Sequence, residues 1–178
     1  MRHPLETIPH EYRKRFFFTF LFLMLVLFTI FRLIDQPLRT PAAPNGIISF
    51  ELSENVNQAR LITDEWKTSS YIFAAFGLGM DYLFMPIYAF ALAFGTLLAA
   101  NWHSGWLKSI GALAGYGAFV AALFDAIENY ALFQILLNQI HSPYPELAFY
   151  CASIKFSLLI FGILYALIGC FWPRRSLN

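Results

Sequence analysis

Long apolar runs broken by short polar segments set the pattern of this chain. Phe16 to Ile34 is almost pure Phe, Leu, Val, Ile and Met behind the basic cluster Arg13, Lys14 and Arg15. A secretory signal would have a shorter apolar core with a small-residue cleavage site close behind it, so this run reads as a retained helix or signal anchor. Further runs extend over Tyr71 to Ala99, Leu107 to Leu137 and Leu147 to Phe171. About twenty residues cover a hydrocarbon core of ~30 Å, so the last three predict helices that tilt, kink or project. No internal repeat relates the segments. The expected fold is all-α: a polytopic integral membrane protein with a four-transmembrane-helix bundle, one membrane domain over residues 1–178.

The connection between the first two runs, residues 35–70, is the sizeable non-membrane part. Pro37, Pro41 and Pro44 favour an extended start that ends at the turn signal Asn45-Gly46, followed by the short apolar stretch Ile47 to Leu52. Ser53 is placed to cap a following helix. Leu52, Val56, Ala59, Thr63 and Trp66 recur at spacings of four and three, with Glu54, Arg60, Asp64 and Glu65 on other faces. This predicts a short amphipathic helix on the outer surface, as a lid over a cavity or, the reading we favour, a connector with Trp66 at headgroup level.

Composition agrees with the pattern: 58% of residues are hydrophobic, 13% are charged and twenty are phenylalanine. The net charge of +1 arises from nearly balanced acids and bases without a long basic run or an aromatic-and-basic stripe, which sets nucleic acid aside as a partner. Cys151 and Cys170 share one predicted helix and, at the helical rise, lie about 28 Å apart, too far to bridge. His3, His10, His103 and His141 fall in termini or loops, so neither a membrane-embedded haem nor a metal site is expected, and no cofactor is implied. Basic residues orient the helices. Arg2, Arg13, Lys14, Arg15, Lys108, Arg174 and Arg175 fall in the two ends and the 2–3 turn, whereas the 3–4 turn has no Lys or Arg. Both termini are therefore expected on the cytoplasmic side of a plasma membrane, or of the inner membrane of a bacterium, although Arg32, Arg39, Arg60 and Lys67 dilute the asymmetry.

The candidate chemistry lies in charges placed where charge is costly. Asp81, Asp125, Glu128 and Lys155 interrupt the apolar runs, where an ionisable side chain costs roughly 2.5–3.5 kcal/mol on insertion scales and therefore pairs, protonates or lines a cavity. Counted from the outer helix ends, all four fall about 14–20 Å deep, near one level. Gly111, Gly115, Ala118, Ala122, Asp125 and Asn129 share a face of the third helix, with Glu128 one turn from Asp125. Small residues of this kind let another backbone approach, so the acids point into the bundle. Pro86 frees the carbonyl of Tyr82 beside Asp81. Three carboxylates facing one ammonium would leave two uncompensated negative charges, so a proton or a cation is expected among them. In the expected roles Asp81 and Asp125 hold a cation, ammonium or hydroxyl group, Glu128 exchanges a proton, Lys155 orients the carboxylates, and Asn129 and Tyr82 complete the hydrogen bonds. Asp35 and Trp66 are candidates for the cavity mouth, with Asp35 reaching water and pairing with Arg32 or Arg39. The alternative is a structural network that sets helix register. Phe16, Phe17, Phe18, Phe20 and Phe22 read as lipid-facing surface, and Trp102, His103 and Trp106 as an interfacial anchor.

Asp35-Gln36, Trp66 and the run from Asp81 through Pro86 and Tyr88 to Phe90 resemble the emopamil-binding (EXPERA) membrane proteins. The resemblance implies a four-helix membrane fold with a lipid-like or cationic amphiphilic ligand held between the helices near acidic residues. Isomerases of that family also use a membrane-embedded histidine. This chain has none in its predicted spans, which speaks against sterol isomerisation. Three functions follow as expectations: a ligand-binding cavity or lipid-modifying enzyme, a structural or accessory subunit of a larger membrane complex, or a small proton- or cation-coupled transporter. The expected partners are membrane lipids, such a ligand, and either a second copy of the chain or a membrane-complex partner.

Overall fold

A computed structural model describes residues 3–171 of the chain. The elements among them are all helical: α1 (His10–Ile34), α2 (Ile47–Glu51), α3 (Val56–Glu65), α4 (Thr68–Ala100), α5 (Gly105–Leu136) and α6 (Tyr144–Phe171), with 3-10 turns at Pro4–Thr7 and Gln36–Leu38. Four of these, α1, α4, α5 and α6, are long and apolar enough to cross a membrane. They begin ahead of the apolar runs because helix formation does not require apolar residues. α1 starts at His10, so Arg13, Lys14 and Arg15 lie within it, and such side chains are good helix formers. In α6, Pro145 occupies the first turn, where its missing N–H costs nothing. Pro86 lies inside α4, which continues through it. Arg2, Arg174 and Arg175, which contribute to the expected orientation, and the side chain of Cys170 lie outside the described residues.

The described chain forms two compact units, and each of the four long helices contributes residues to both. Unit 1 comprises 3–24, 86–122 and 156–171. Aromatic rings and small residues hold it together. Phe16 stacks on Phe94 at 5.6 Å between centroids and Phe20 on Phe90 at 5.1 Å, while Phe119 meets Phe90 edge-on. Phe18 and Phe22 are about two-thirds exposed, so the phenylalanine run has an inward face and an outward one. Gly111 permits close helix contact: a Cβ there would lie 2.6 Å from both the Ala100 Cβ and the Tyr165 hydroxyl oxygen. That hydroxyl donates to the carbonyl of Leu107 at 2.8 Å. His3, expected in a free terminus, is 4% exposed, with its ring 4.3 Å from that of Tyr116. Its Nδ1 accepts from the Leu5 N–H, which starts the first 3-10 turn, and burial holds its pKa below the usual imidazole value.

Unit 2 comprises 25–85 and 123–155. Its core gathers Phe50, Ile62 and Trp66 from the connection with Leu78 of α4 and Leu132 and Ile135 of α5. The connection is thus folded into this unit. Asn55, not Ser53, caps α3, accepting from the N–H groups of Asn57 and Gln58. The Ser53 hydroxyl is committed elsewhere, donating to the carbonyl of Phe50 at 2.8 Å. Ala59, Thr63 and Trp66 of the anticipated apolar face are buried, whereas Leu52 is exposed.

Candidate functional site

The site is built in unit 2 from the connection and three long helices. Ala148, Cys151, Ala152 and Lys155 form the buried face of α6, and Asp125, Glu128 and Asn129 share one on α5. Both faces follow the spacings of three and four that place side chains on one side of a helix. Lys155 ends its face as a buried ammonium with carboxylates on several sides. Its Nζ donates to Asp125 Oδ1 at 3.0 Å and lies 2.9 Å from both Oε1 and Oε2 of Glu128. A third carboxylate, Glu51, accepts from the same ammonium at 3.5 Å. All four groups are buried: Glu128 is 0% exposed, Asp125 2%, Lys155 5% and Glu51 8%.

Asp81 lies at the edge of this group. Its Oδ2 accepts from the Asn129 side-chain amide at 2.9 Å, and its side chain is partly exposed, unlike those of the other three acids. Asn129 is 1% exposed, and its Oδ1 has no hydrogen-bond partner. A buried acceptor without a donor costs on the order of 1–3 kcal/mol, which a ligand's N–H or O–H would recover. Tyr82 belongs elsewhere. Its side chain is half-exposed and its hydroxyl donates to the carbonyl of Ala126 at 3.2 Å, because the next residue along a helix points about 100° away from Asp81.

Glu51 has no counterpart in the expected site. It closes α2, a five-residue helix with too few residues to show a period, inside a stretch that reads simply as apolar. The available signal was its position, a lone acid between Phe50 and Leu52. Burial pushes the Glu51 carboxyl above its usual pKa and neighbouring Asp125 adds to that, while the Lys155 ammonium opposes both.

Asp35 and Trp66, expected at a cavity mouth, hold α2 in place. Asp35 does not reach water. It is 6% exposed, accepts from the Ile47 N–H at 2.7 Å and from Arg39 Nε at 3.2 Å, and lies against Gly46. Gly46 has φ of 62°, a conformation for which a side chain would be strained, and its missing Cβ leaves room for that carboxylate. Trp66 is 6% exposed instead of standing at a surface. Its indole N–H donates to the carbonyl of Leu38 at 3.0 Å, and its ring meets Phe50 edge-on at 4.9 Å. Phe50 precedes Glu51, so these contacts fix the helix end that delivers the fourth acid.

Four carboxyl groups and one ammonium share this part of unit 2. Fully ionised, the group would carry three negative charges in excess. Two carboxylates about 4 Å apart repel by about 4 kcal/mol at an effective dielectric constant of 20. That repulsion opposes full ionisation of the group. Among the described residues, no group of three or more His, Cys, Asp or Glu side chains has the geometry to hold a metal ion. Comparison of the chain with protein-family models, with curated protein sequences and with solved structures finds no match in any of the three.

Proposed function

We propose that this is an integral membrane protein, with both termini cytoplasmic, whose acidic cluster binds the polar head of a lipid-like or cationic amphiphilic ligand. The observation that carries the reading is the edge formed by Asp81 and Asn129. There a partly exposed carboxylate adjoins a buried carbonyl oxygen without a donor, beside a group already short of positive charge. Asp125 and Glu128 are engaged by Lys155, so they act as fixed background, and Asp81 is the carboxylate available to an incoming head group. The apolar helices on which these residues sit would accommodate the tail.

A second reading, a structural or accessory subunit, draws support from Lys155. Its contacts tie α2, α5 and α6 together, as a clasp would. Native mass spectrometry of gently extracted wild type beside Asp81→Asn separates the two. The binding reading expects a discrete extra mass on the wild type that the variant lacks. The same lipids on both forms, or bare protein in both together with a reproducible protein partner, would establish the subunit reading instead.

A further inference from the structure

Two carboxyl groups of the cluster meet at one cation. Glu51 and Glu128 both lie against the Lys155 ammonium, at 3.5 Å and 2.9 Å, so their carboxyl groups are neighbours around one cation. An ionised carboxylate only accepts, so a hydrogen bond between two carboxyl groups requires one of them to carry a proton. The charged and titratable groups facing this pair are Asp125 from α5, Asp81 from α4, and Lys155 and Cys151 from α6. Lys155 is the single cation in that set, and of its three carboxylate contacts the one to Glu51 is the longest. Glu51 is also the most exposed of the three acids on Lys155 and belongs to the connection, so a proton on it is the nearest to water.

The acceptors define what can enter. The cluster already holds one primary ammonium, that of Lys155, by three carboxylates. Asp81 and the Asn129 Oδ1 offer acceptors for the N–H groups of a second. A quaternary ammonium has no N–H and would leave the Asn129 oxygen without a donor.

Resting on the reading of Asp81 and Asn129 as a binding edge, we infer that the site exchanges a proton for its ligand: a protonated primary amine seated at Asp81 releases the proton shared by Glu51 and Glu128. The O–H bond of the carboxylic acid breaks, its electron pair stays on the carboxylate and the proton passes to water. The amine brings one positive charge as one leaves, so the charge of the cluster is unchanged. Amine binding then strengthens as pH rises, up to about tenfold per unit for one released proton.

The test uses the full chain in phosphatidylcholine nanodiscs, titrated calorimetrically with octylamine, which stays protonated between pH 6 and 8. Titrations in phosphate and in MOPS, which differ in ionisation enthalpy and carry no primary amine, count the protons, and Asp81→Asn supplies the background of amine entering lipid. About one proton released per Asp81-dependent amine, with affinity rising from pH 6 to 8, is the expected result. Saturable, Asp81-dependent binding whose heat is the same in both buffers would overturn the exchange and leave the binding reading intact. No Asp81-dependent binding at any of these pH values would overturn both. Glu51→Gln should bind octylamine with a flat pH profile, and undiminished proton release from the folded variant would remove Glu51 from the role. Ethylamine binding as tightly as octylamine would identify a free small amine as the ligand class, whereas tighter octylamine binding would identify an amphiphile.

Discussion

Replacing Lys155 by Met keeps most of the side-chain volume and removes the ammonium that three buried carboxyl groups share. In the native protein that ammonium lies 3.0 Å from Asp125, 2.9 Å from Glu128 and 3.5 Å from Glu51, with its side chain 6% exposed. Without it the cluster has two options. If no further group takes up a proton, the ionised carboxylates repel one another without a counter-charge, by about 4 kcal/mol for a pair about 4 Å apart at an effective dielectric constant of 20. If one takes up a proton, the cost at pH 7 for a Glu of reference pKa about 4.3 is about 3.7 kcal/mol, at about 1.36 kcal/mol per unit. Protonation limits the loss, because the proton removes one of the charges that the ammonium balanced. The expected destabilisation at pH 7 is thus about 3–5 kcal/mol, in the range observed when one partner of a buried pair is deleted. This deficit should shrink by about 1.4 kcal/mol for each unit the pH falls, since folding of the variant takes up one proton more than folding of the wild type does. Reversible unfolding in mixed micelles, titrated with SDS and followed by far-UV circular dichroism at pH 5, 6 and 7, measures both quantities. A loss below about 1 kcal/mol at pH 7, or a deficit equal at pH 5 and pH 7, would refute the electrostatic account. Adding Glu128→Gln to Lys155→Met should restore part of the loss at pH 7, because it removes one of the stranded acids.

Burial raises the Glu51 carboxyl, so its contribution is greatest below the unfolded pKa of about 4.3 and is lost as pH rises through the raised folded value. Glu51→Gln should therefore gain on wild type with rising pH across that window, by at most about 1.4 kcal/mol per unit, and parallel stability profiles would contradict this. Gly111→Ala brings a methyl group into Ala100 and Tyr165 and should cost about 1–3 kcal/mol, read as a lower thermal midpoint in detergent. Unchanged stability would mean that those two neighbours move aside freely.

How far the sequence reached varied from element to element. The long helices were legible because each carries its own signal, an apolar run of sufficient length. The inward face of α5 was legible too, since helical geometry fixes which residues share a side, here Asp125, Glu128 and Asn129; for Lys155 only its depth was legible. An ionisable residue among apolar neighbours must find a partner, so the convergence of those charges followed from cost alone. Only the tertiary structure could place Glu51, Asp35 and Trp66. Glu51 stands on a five-residue helix with no period to read, and it reaches Lys155, 104 positions later in the chain. The Asp35 carboxylate and the Trp66 indole N–H each satisfy backbone groups of a loop that no propensity specifies. Tyr82 fails for the opposite reason: adjacency to Asp81 in sequence turns its side chain away, towards the carbonyl of Ala126. The sequence by itself determined the helices and which side chains had to be satisfied inside them, because those follow from local periodicity and desolvation. Which acids share the one buried lysine, and which carboxylate is left at the edge, was decided by the folding of the connection into unit 2, because hydrogen-bond partners distant in sequence leave no local pattern.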